Sequence, residues 1–280
     1  MILWIASYPK SGNTWIRALI STYLFSNNGE FNFDLLLKIP KFIQSKNISP
    51  IIDLNQLQHE PLKISNYWKA AQARINLNGN INFLKTHNAC VSYKNNWFTD
   101  ETNSAGYIYI VRDPRAVASS LAFHSKISIK QSVDDLLNEN QVGYNGPKKL
   151  AEISSSWKIN YLSWKKKKKF SGLIIKYEDL IDNTEKEFEK ILLYLKEIVK
   201  TAKNSDLFNL DDKDKILKSI NSCNFSKLSK MEDLYGFKEA TNDKFFRVGK
   251  KDSWKTVLNQ DLCKKIELSF KDEMTELGYI

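Results

Sequence analysis

The sequence predicts an α/β fold, a central parallel sheet flanked by helices on both faces, and three observations predict it. Short strand-like runs recur along the 280 residues, at Ile2–Ala6, Asn82–Thr86, Tyr107–Val111 and Leu173–Tyr177. A polar turn and then helical spacing of apolar residues follow most of them, so the strands are joined by crossovers. No internal repeat or linker interrupts the pattern, and residues 1–280 read as one domain.

Ile2 to Ala6 form an apolar run suited to a strand covered on two faces. Pro9 and Gly12 punctuate the turn after it, and Asn13 or Thr14 is expected to cap a helix that starts near Trp15. That helix extends to Ser26, with Ile16, Leu19, Ile20 and Tyr23 on one face, and Asn27-Asn28-Gly29 ends it. From about Phe31 to Leu77, short apolar clusters mixed with Pro40, Pro50 and Pro61 predict short helices and loops, the kind of insertion that walls a pocket.

Asn82–Thr86 is the second strand, and Lys85-Thr86-His87 lies at its C-terminal end, the edge where ligands bind in open parallel sheets. Tyr107–Val111 alternates aromatic and β-branched residues and is the clearest strand. Arg112-Asp113-Pro114 ends it, and Pro114 suits the first turn of a helix carrying Ala116 to Phe123. Ile129–Asn138 and Lys148–Lys168 are expected as further helices. Leu173–Tyr177 is the last strand, and helices follow at about Thr184–Leu195, Lys213–Ile220 and Phe225–Leu234. Thr241–Ser253 reads as a polar, basic loop, and Asn259–Leu277 as a closing amphipathic helix.

Composition narrows the function classes. An apolar share of 42% suits a globular core. No apolar run reaches the about eighteen residues of a membrane span, and no signal segment precedes the first strand. Cys90, Cys223 and Cys263 are odd in number and far apart, which fits neither a zinc site nor a disulfide framework and suits a reducing cytoplasm. The net charge of +10 favours anionic partners, a nucleic acid or a highly charged nucleotide. Lys165 to Lys169 reads as a solvated helix end leading into a loop rather than a nucleic-acid patch.

The chemistry gathers at strand ends. A strand-turn-helix unit aims backbone N–H groups and a helix N-terminus at one spot, which attracts phosphate. Lys10 adds a mobile positive charge there, and Ser11, Asn13 and Thr14 add side-chain donors. The nucleotide-triphosphatase pattern G-x-x-x-x-G-K-[ST] is absent, because Lys10 precedes Gly12. Arg112 ends a strand, and Ser120 stands eight residues on, so fork and hydroxyl can grip a second phosphate. His87 can accept a proton at neutral pH.

Tyr8-Pro9-Lys10-Ser11-Gly12-Asn13-Thr14-Trp15 closely resembles the loop by which sulfotransferases hold the 5′-phosphosulfate of 3′-phosphoadenosine 5′-phosphosulfate (PAPS). The segment Ile110 to Ser120 resembles the one that binds the donor's 3′-phosphate in that family, which implies those contacts for Arg112 and Ser120. Arg247-Val248-Gly249-Lys250-Lys251-Asp252-Ser253-Trp254-Lys255 resembles the family's C-terminal R-K-G-x-x-G-D-W-K loop. Asp252 and Ser253 depart from its second glycine and its aspartate. The resemblance implies 3′-phosphate contacts for Arg247 and Gly249, and adenine contacts for Trp15, Tyr177 and Phe225. Lys85-Thr86-His87 resembles the segment bearing the family's base, with Asn88-Ala89-Cys90 where many members have a proline. His124 is the reserve candidate.

The resemblance implies a P-loop-like nucleotide-binding fold and a PAPS-dependent sulfuryl transfer that leaves 3′-phosphoadenosine 5′-phosphate (PAP) and needs no metal. His87 is the expected base, with Lys10 and Lys85 stabilising charge. Ser11, Gly12, Asn13 and Thr14 anchor the 5′-phosphate. A small-molecule or carbohydrate acceptor is expected, and nucleic acid is not. The pocket-wall segments match no acceptor class. The relatives' dimer pattern K-x-x-x-T-V-x-x-x-E is not preserved, since Asp252 stands where its lysine would be, and the oligomeric state stays open. The competing reading is a P-loop-type kinase for a small molecule, against which the missing lysine counts.

Overall fold

The computed structural model describes residues 1–145, 150–200, 205, 211–240 and 244–280. Its strands are β1 (Ile2–Ser7), β2 (Asn82–Thr86), β3 (Ser92–Tyr93), β4 (Asn96–Trp97), β5 (Ser104–Val111), β6 (Val142–Asn145), β7 (Leu150–Ile153) and β8 (Ser171–Lys176). Four of them make an all-parallel sheet in the order β2-β1-β5-β8. The short pairs β3-β4 and β6-β7 are antiparallel hairpins outside it.

Helices cover both faces because the central strands are apolar on both. Ile2, Trp4 and Ala6 of β1 join Tyr107 and Tyr109 of β5 in one core with Trp68, Trp157 and Trp164. The alternate residues Leu3, Ile5, Ile108 and Ile110 face the other way, onto Ile16, Leu19 and Ile20 of helix α1 (Asn13–Phe25) and Phe188 of the helix Thr184–Val199. This is the period of two that puts successive side chains on opposite faces. Each large apolar side chain taken from water contributes about 1.5–3 kcal/mol, so both layers hold β1 in place.

The register aligns the C-terminal ends of the strands. Ala6 pairs with Thr86 and with Tyr109, and Val111 pairs with Lys176. His87 after β2, the turn after β1, Arg112 after β5 and Tyr177 after β8 therefore emerge along one edge in that spatial order. Strand neighbours lie about 4.8 Å apart. The insertion between α1 and β2 consists of short helical pieces, from Phe33–Lys38 to Trp68–Asn76. One bridge from it, Lys41 to Lys85, runs parallel beside the end of β2.

Four local expectations change. The cap of α1 is Gly12, in the left-handed region, and not Asn13 or Thr14, which are already helical. Of the helix expected over Lys148–Lys168, residues 148–149 lie outside the described residues, and the part from residue 150 on instead holds β7 and a shorter helix, Trp157–Lys165. Leu150, Ile153, Trp157, Tyr161 and Trp164 carry helical spacing, but pairing with β6 claims the first two, and Ser156 caps the helix at the Ile159 N–H. The closing helix breaks at Phe270 into Gln260–Ser269 and Lys271–Glu276, with the Phe270 ring 5.1 Å from that of Trp157. Tyr177 opens a helix, Tyr177–Asp182, rather than ending a strand. Of the expected basic loop, residues 241–243 lie outside the described residues.

Candidate active site

The turn after β1 is shaped by two left-handed residues, Lys10 (φ 65°) and Gly12 (φ 101°). A Cβ on Gly12 would stand 2.4 Å from the Tyr177 ring, so only glycine lets the turn lie against that ring. Asn13 ties the turn to its strand, donating Nδ2 to the Ile5 carbonyl (2.9 Å) and to Ser7 Oγ (3.3 Å). The start of α1 thus faces the sheet edge with its N–H groups, the arrangement that favours an anion.

Every sequence-predicted site residue except Ser11 lines one cavity of about 990 Å³. Lys10, Gly12, Asn13, Thr14 and Trp15 come from the turn and α1, Lys85 and His87 from β2, and Arg112 and Ser120 from β5 and its following helix. Tyr177, Phe225, Arg247 and Gly249 complete it. Ser11 is fully buried, and its hydroxyl faces no hydrogen-bond partner among the described residues.

At one end, aromatic rings and cations alternate. The Arg112 guanidinium stacks 4.3 Å from the Tyr177 ring centre and donates Nη1 to the Lys10 carbonyl at 3.0 Å. Its Nε is buried without a partner among the described residues, an orphaned donor of the kind that a bound anion satisfies. Trp15 meets Tyr177 edge-on at 5.9 Å and donates Nε1 to the Cys223 carbonyl. Arg247 stacks 4.2 Å from Phe123. Gly249 (φ +60°) lies so close to Phe225 that a Cβ there would stand 2.4 Å from the ring. Asp252 pairs with Lys255 at 3.1 Å, and Lys251 with Asp182. The Asp252 charge is thereby offset within its own loop.

At the other end stands His87. Its Nδ1 is 2.8 Å from the Ser7 carbonyl and 3.2 Å from Ser7 Oγ. A carbonyl only accepts, so Nδ1 carries the proton and Nε2 keeps its lone pair. The main chain is held as firmly. Glu152 accepts the His87 N–H at 2.8 Å and pairs with Lys41 at 2.7 Å, while Asn160, oriented by Tyr109, donates to the His87 carbonyl at 3.0 Å. Asn88 accepts from the Ile153 N–H and reaches back to Thr86. His124 lines the same cavity, edge-on to Phe245.

Between the two ends lie Lys10, Lys85 and Glu239. Lys10 Nζ rests 3.9 Å from the Phe245 ring centre. Glu239 accepts from Arg17 at 2.7 Å, Lys85 at 3.3 Å and Thr14 at 3.5 Å. Burial, with Lys85 and Arg112 nearby, lowers Lys10 to about 7. Burial lowers Lys85 to about 8, against the opposing pull of Glu239. Burial would raise Glu239, but Lys85 and Arg17 outweigh it and hold it at about 2. His87 falls to about 3, through burial first and the Lys85 charge second, and His124 to about 4, through burial and then Lys10. Both imidazoles are neutral at pH 7.

A protonation signature follows from these shifts. Both lysines are charged at pH 6, while Lys10 is largely neutral at pH 8. A phosphate held at the turn after β1 favours the charged form of Lys10 and raises it. Binding of a nucleotide phosphate there at pH 8 takes up about one proton at Lys10, whereas at pH 6 Lys10 is already charged and the ligand's own phosphate, with a second pKa of about 6, releases protons instead. Calorimetry in two buffers of different ionisation enthalpy reads this directly, and no uptake at pH 8 would contradict the placement of Lys10 beside the ligand.

Sequence reading missed Glu239, Arg17, Glu152, Lys41 and Asn160. None lies in a strand-end motif; Arg17 sits in α1 beside Thr14 and Trp15, but its partner Glu239, like Glu152, Lys41 and Asn160, arrives through long-range packing. Among the described residues, no group of three or more His, Cys, Asp or Glu is placed to hold a metal ion. No helix there is long and apolar enough to cross a membrane.

The family described as "Sulfotransferase domain" matches residues 2–278. No curated relative matches the chain. Solved structures share its fold. Mouse sulfotransferase SULT7A1 complexed with PAP has a TM-score of 0.59 and 18% identity, over 98% of this chain and 84% of that one. Retinol dehydratase with androsterone and the inactive cofactor PAP has 0.60 and 17%, over 98% and 80%. The same enzyme with retinol and PAP has 0.58 and 18%, over 98% and 81%. The match over nearly the whole chain, on a parallel sheet whose ligand edge carries these motifs, places the protein in the sulfotransferase domain family.

Proposed function

We propose that this protein moves a sulfuryl group in line from PAPS to a hydroxyl or amine of a small-molecule or carbohydrate acceptor, with His87 as base. The observation that carries this reading is the order along the sheet edge: base after β2, anion turn after β1, arginine after β5, aromatic ring after β8. A donor laid across that edge meets its sulfuryl end near His87, its phosphates at the turn and Arg112, and its base between Trp15, Tyr177 and Phe225. The orphaned Arg112 Nε and the cavity volume suit such a ligand. The family match supports the chemistry. Retinol dehydratase was solved with retinol and with androsterone, which favours a small-molecule acceptor by analogy. The three free cysteines suit a cytoplasmic protein acting as one domain over residues 1–280.

PAPS supplies the activated sulfuryl group and leaves as PAP. His87 Nε2 takes the acceptor's proton as the new oxygen–sulfur or nitrogen–sulfur bond forms and the bridging oxygen–sulfur bond breaks. Lys10 donates to that bridging oxygen as its charge grows, and Lys85 holds the sulfuryl oxygens. Gly12, Asn13 and Thr14 hold the 5′-phosphate. Arg112, Ser120, Arg247 and Gly249 hold the 3′-phosphate. Little covalent chemistry falls to the protein, and positioning supplies most of the effect.

Calorimetric titration with PAP, 5′-AMP and ATP tests the reading. PAP binds without magnesium and far more tightly than 5′-AMP. Binding that ignores the 3′-phosphate, or that prefers ATP with magnesium, replaces this reading with a P-loop-type kinase.

A further inference from the structure

The cations between the two ends of the cavity are engaged by a carboxylate. Glu239 Oε1 pairs with Arg17 Nη1 at 2.7 Å, and Oε2 lies 3.3 Å from Lys85 Nζ and 3.5 Å from Thr14 Oγ1. Arg17 is 2% exposed and also donates to the Leu36 and Ile39 carbonyls, so it is a fixed anchor. The Glu239 side chain is 34% exposed and lines the cavity. One carboxylate oxygen therefore spans two residues that the functional reading gives to different parts of the donor, Thr14 to the 5′-phosphate and Lys85 to the sulfuryl group. A phosphosulfate and this carboxylate cannot share that place, because both are anions and both need the same donors.

We propose that Glu239 is a specificity-determining residue of the donor site, a carboxylate that only a ligand bringing anionic groups to both Thr14 and Lys85 displaces. The inference rests on the PAPS reading above. PAPS satisfies both positions and moves Glu239 aside. PAP satisfies Thr14 but offers nothing to Lys85, so Glu239 stays on Lys85 and repels the 5′-phosphate. The carboxylate thus favours donor over product and helps to expel PAP after transfer.

The test is calorimetric binding of PAP and of PAPS to the full chain and to Glu239→Gln. The amide keeps an acceptor for Arg17 but removes the charge. PAP binds Glu239→Gln about tenfold more tightly than wild type, the discount from a fully buried pair reflecting the exposure of the site. PAPS changes less, so the preference for PAPS over PAP narrows. Glu239→Asp, one methylene shorter and unable to span both contacts, shifts PAP in the same direction by less. Melting curves establish that each variant is folded. PAP affinity that stays at the wild-type level or weakens in both variants overturns the proposal and makes Glu239 a latch for Arg17. Loss of the 3′-phosphate dependence in wild type is a separate result, and it removes the PAPS reading itself.

Discussion

Replacing His87 with alanine lowers the rate of PAP release from PAPS in the presence of an acceptor by about 10²–10⁴-fold, the usual worth of a positioned base. PAP affinity changes little, because the imidazole touches the acceptor's side of the reaction. Nδ1 is committed to the Ser7 carbonyl at 2.8 Å, which leaves Nε2 as the free nitrogen on the cavity side. The main chain on either side is pinned by Glu152 and Asn160. Burial and Lys85 hold the imidazole near 3, so it is neutral across the physiological range, and no loss of rate from its protonation enters above about pH 5. The depressed value also makes the imidazolium costly. Glu152 is the charge that opposes this, together with the Ser7 carbonyl. A His87→Ala enzyme that keeps wild-type turnover would move the base to His124, which lines the same cavity.

Replacing Arg112 with alanine weakens PAP binding by about 10–100-fold and collapses the preference for PAP over 5′-AMP. Hydrogen bonds to charged groups are worth about 1.5–3 kcal/mol each, which converts to that range. The guanidinium is buried, its Nε without a partner among the described residues, its Nη1 on the Lys10 carbonyl, and its plane against Tyr177. Truncation removes the fork that would hold the 3′-phosphate and loosens the turn that carries Lys10. Binding of 5′-AMP, which has no 3′-phosphate, falls only through the second effect. The ratio of the two affinities separates the roles: an equal loss for both ligands would make Arg112 a brace for the turn and nothing more. Arg112→Lys does not restore binding, because a single ammonium cannot reproduce the planar fork and its stacking on Tyr177.

Much of this site was legible in the chain because its parts are local. A strand, a turn and a helix start are neighbours in sequence, so Lys10, Gly12 and Thr14 announce an anion site without knowledge of the rest. The same holds for Arg112 at the end of β5 and His87 at the end of β2, since a strand end in a parallel sheet faces the ligand edge. Expectations failed where local pattern and long-range pairing disagreed. Leu150 and Ile153 carry helical spacing, yet β6 captures them as a strand, and that strand delivers Glu152 to His87. The closing helix breaks where Phe270 packs on Trp157.

The α/β class, the family resemblance and the strand-end positions of Lys10, Arg112 and His87 are readable along the chain, since each depends on spacing within a few residues. The order β2-β1-β5-β8, which sets His87, the turn and Arg112 side by side, comes from the pairing of strands far apart in the chain. Tertiary packing alone brings Glu239 across more than two hundred residues to Arg17 and Thr14. Such contacts depend on how layers pack and which buried charges find partners, and no local pattern encodes them.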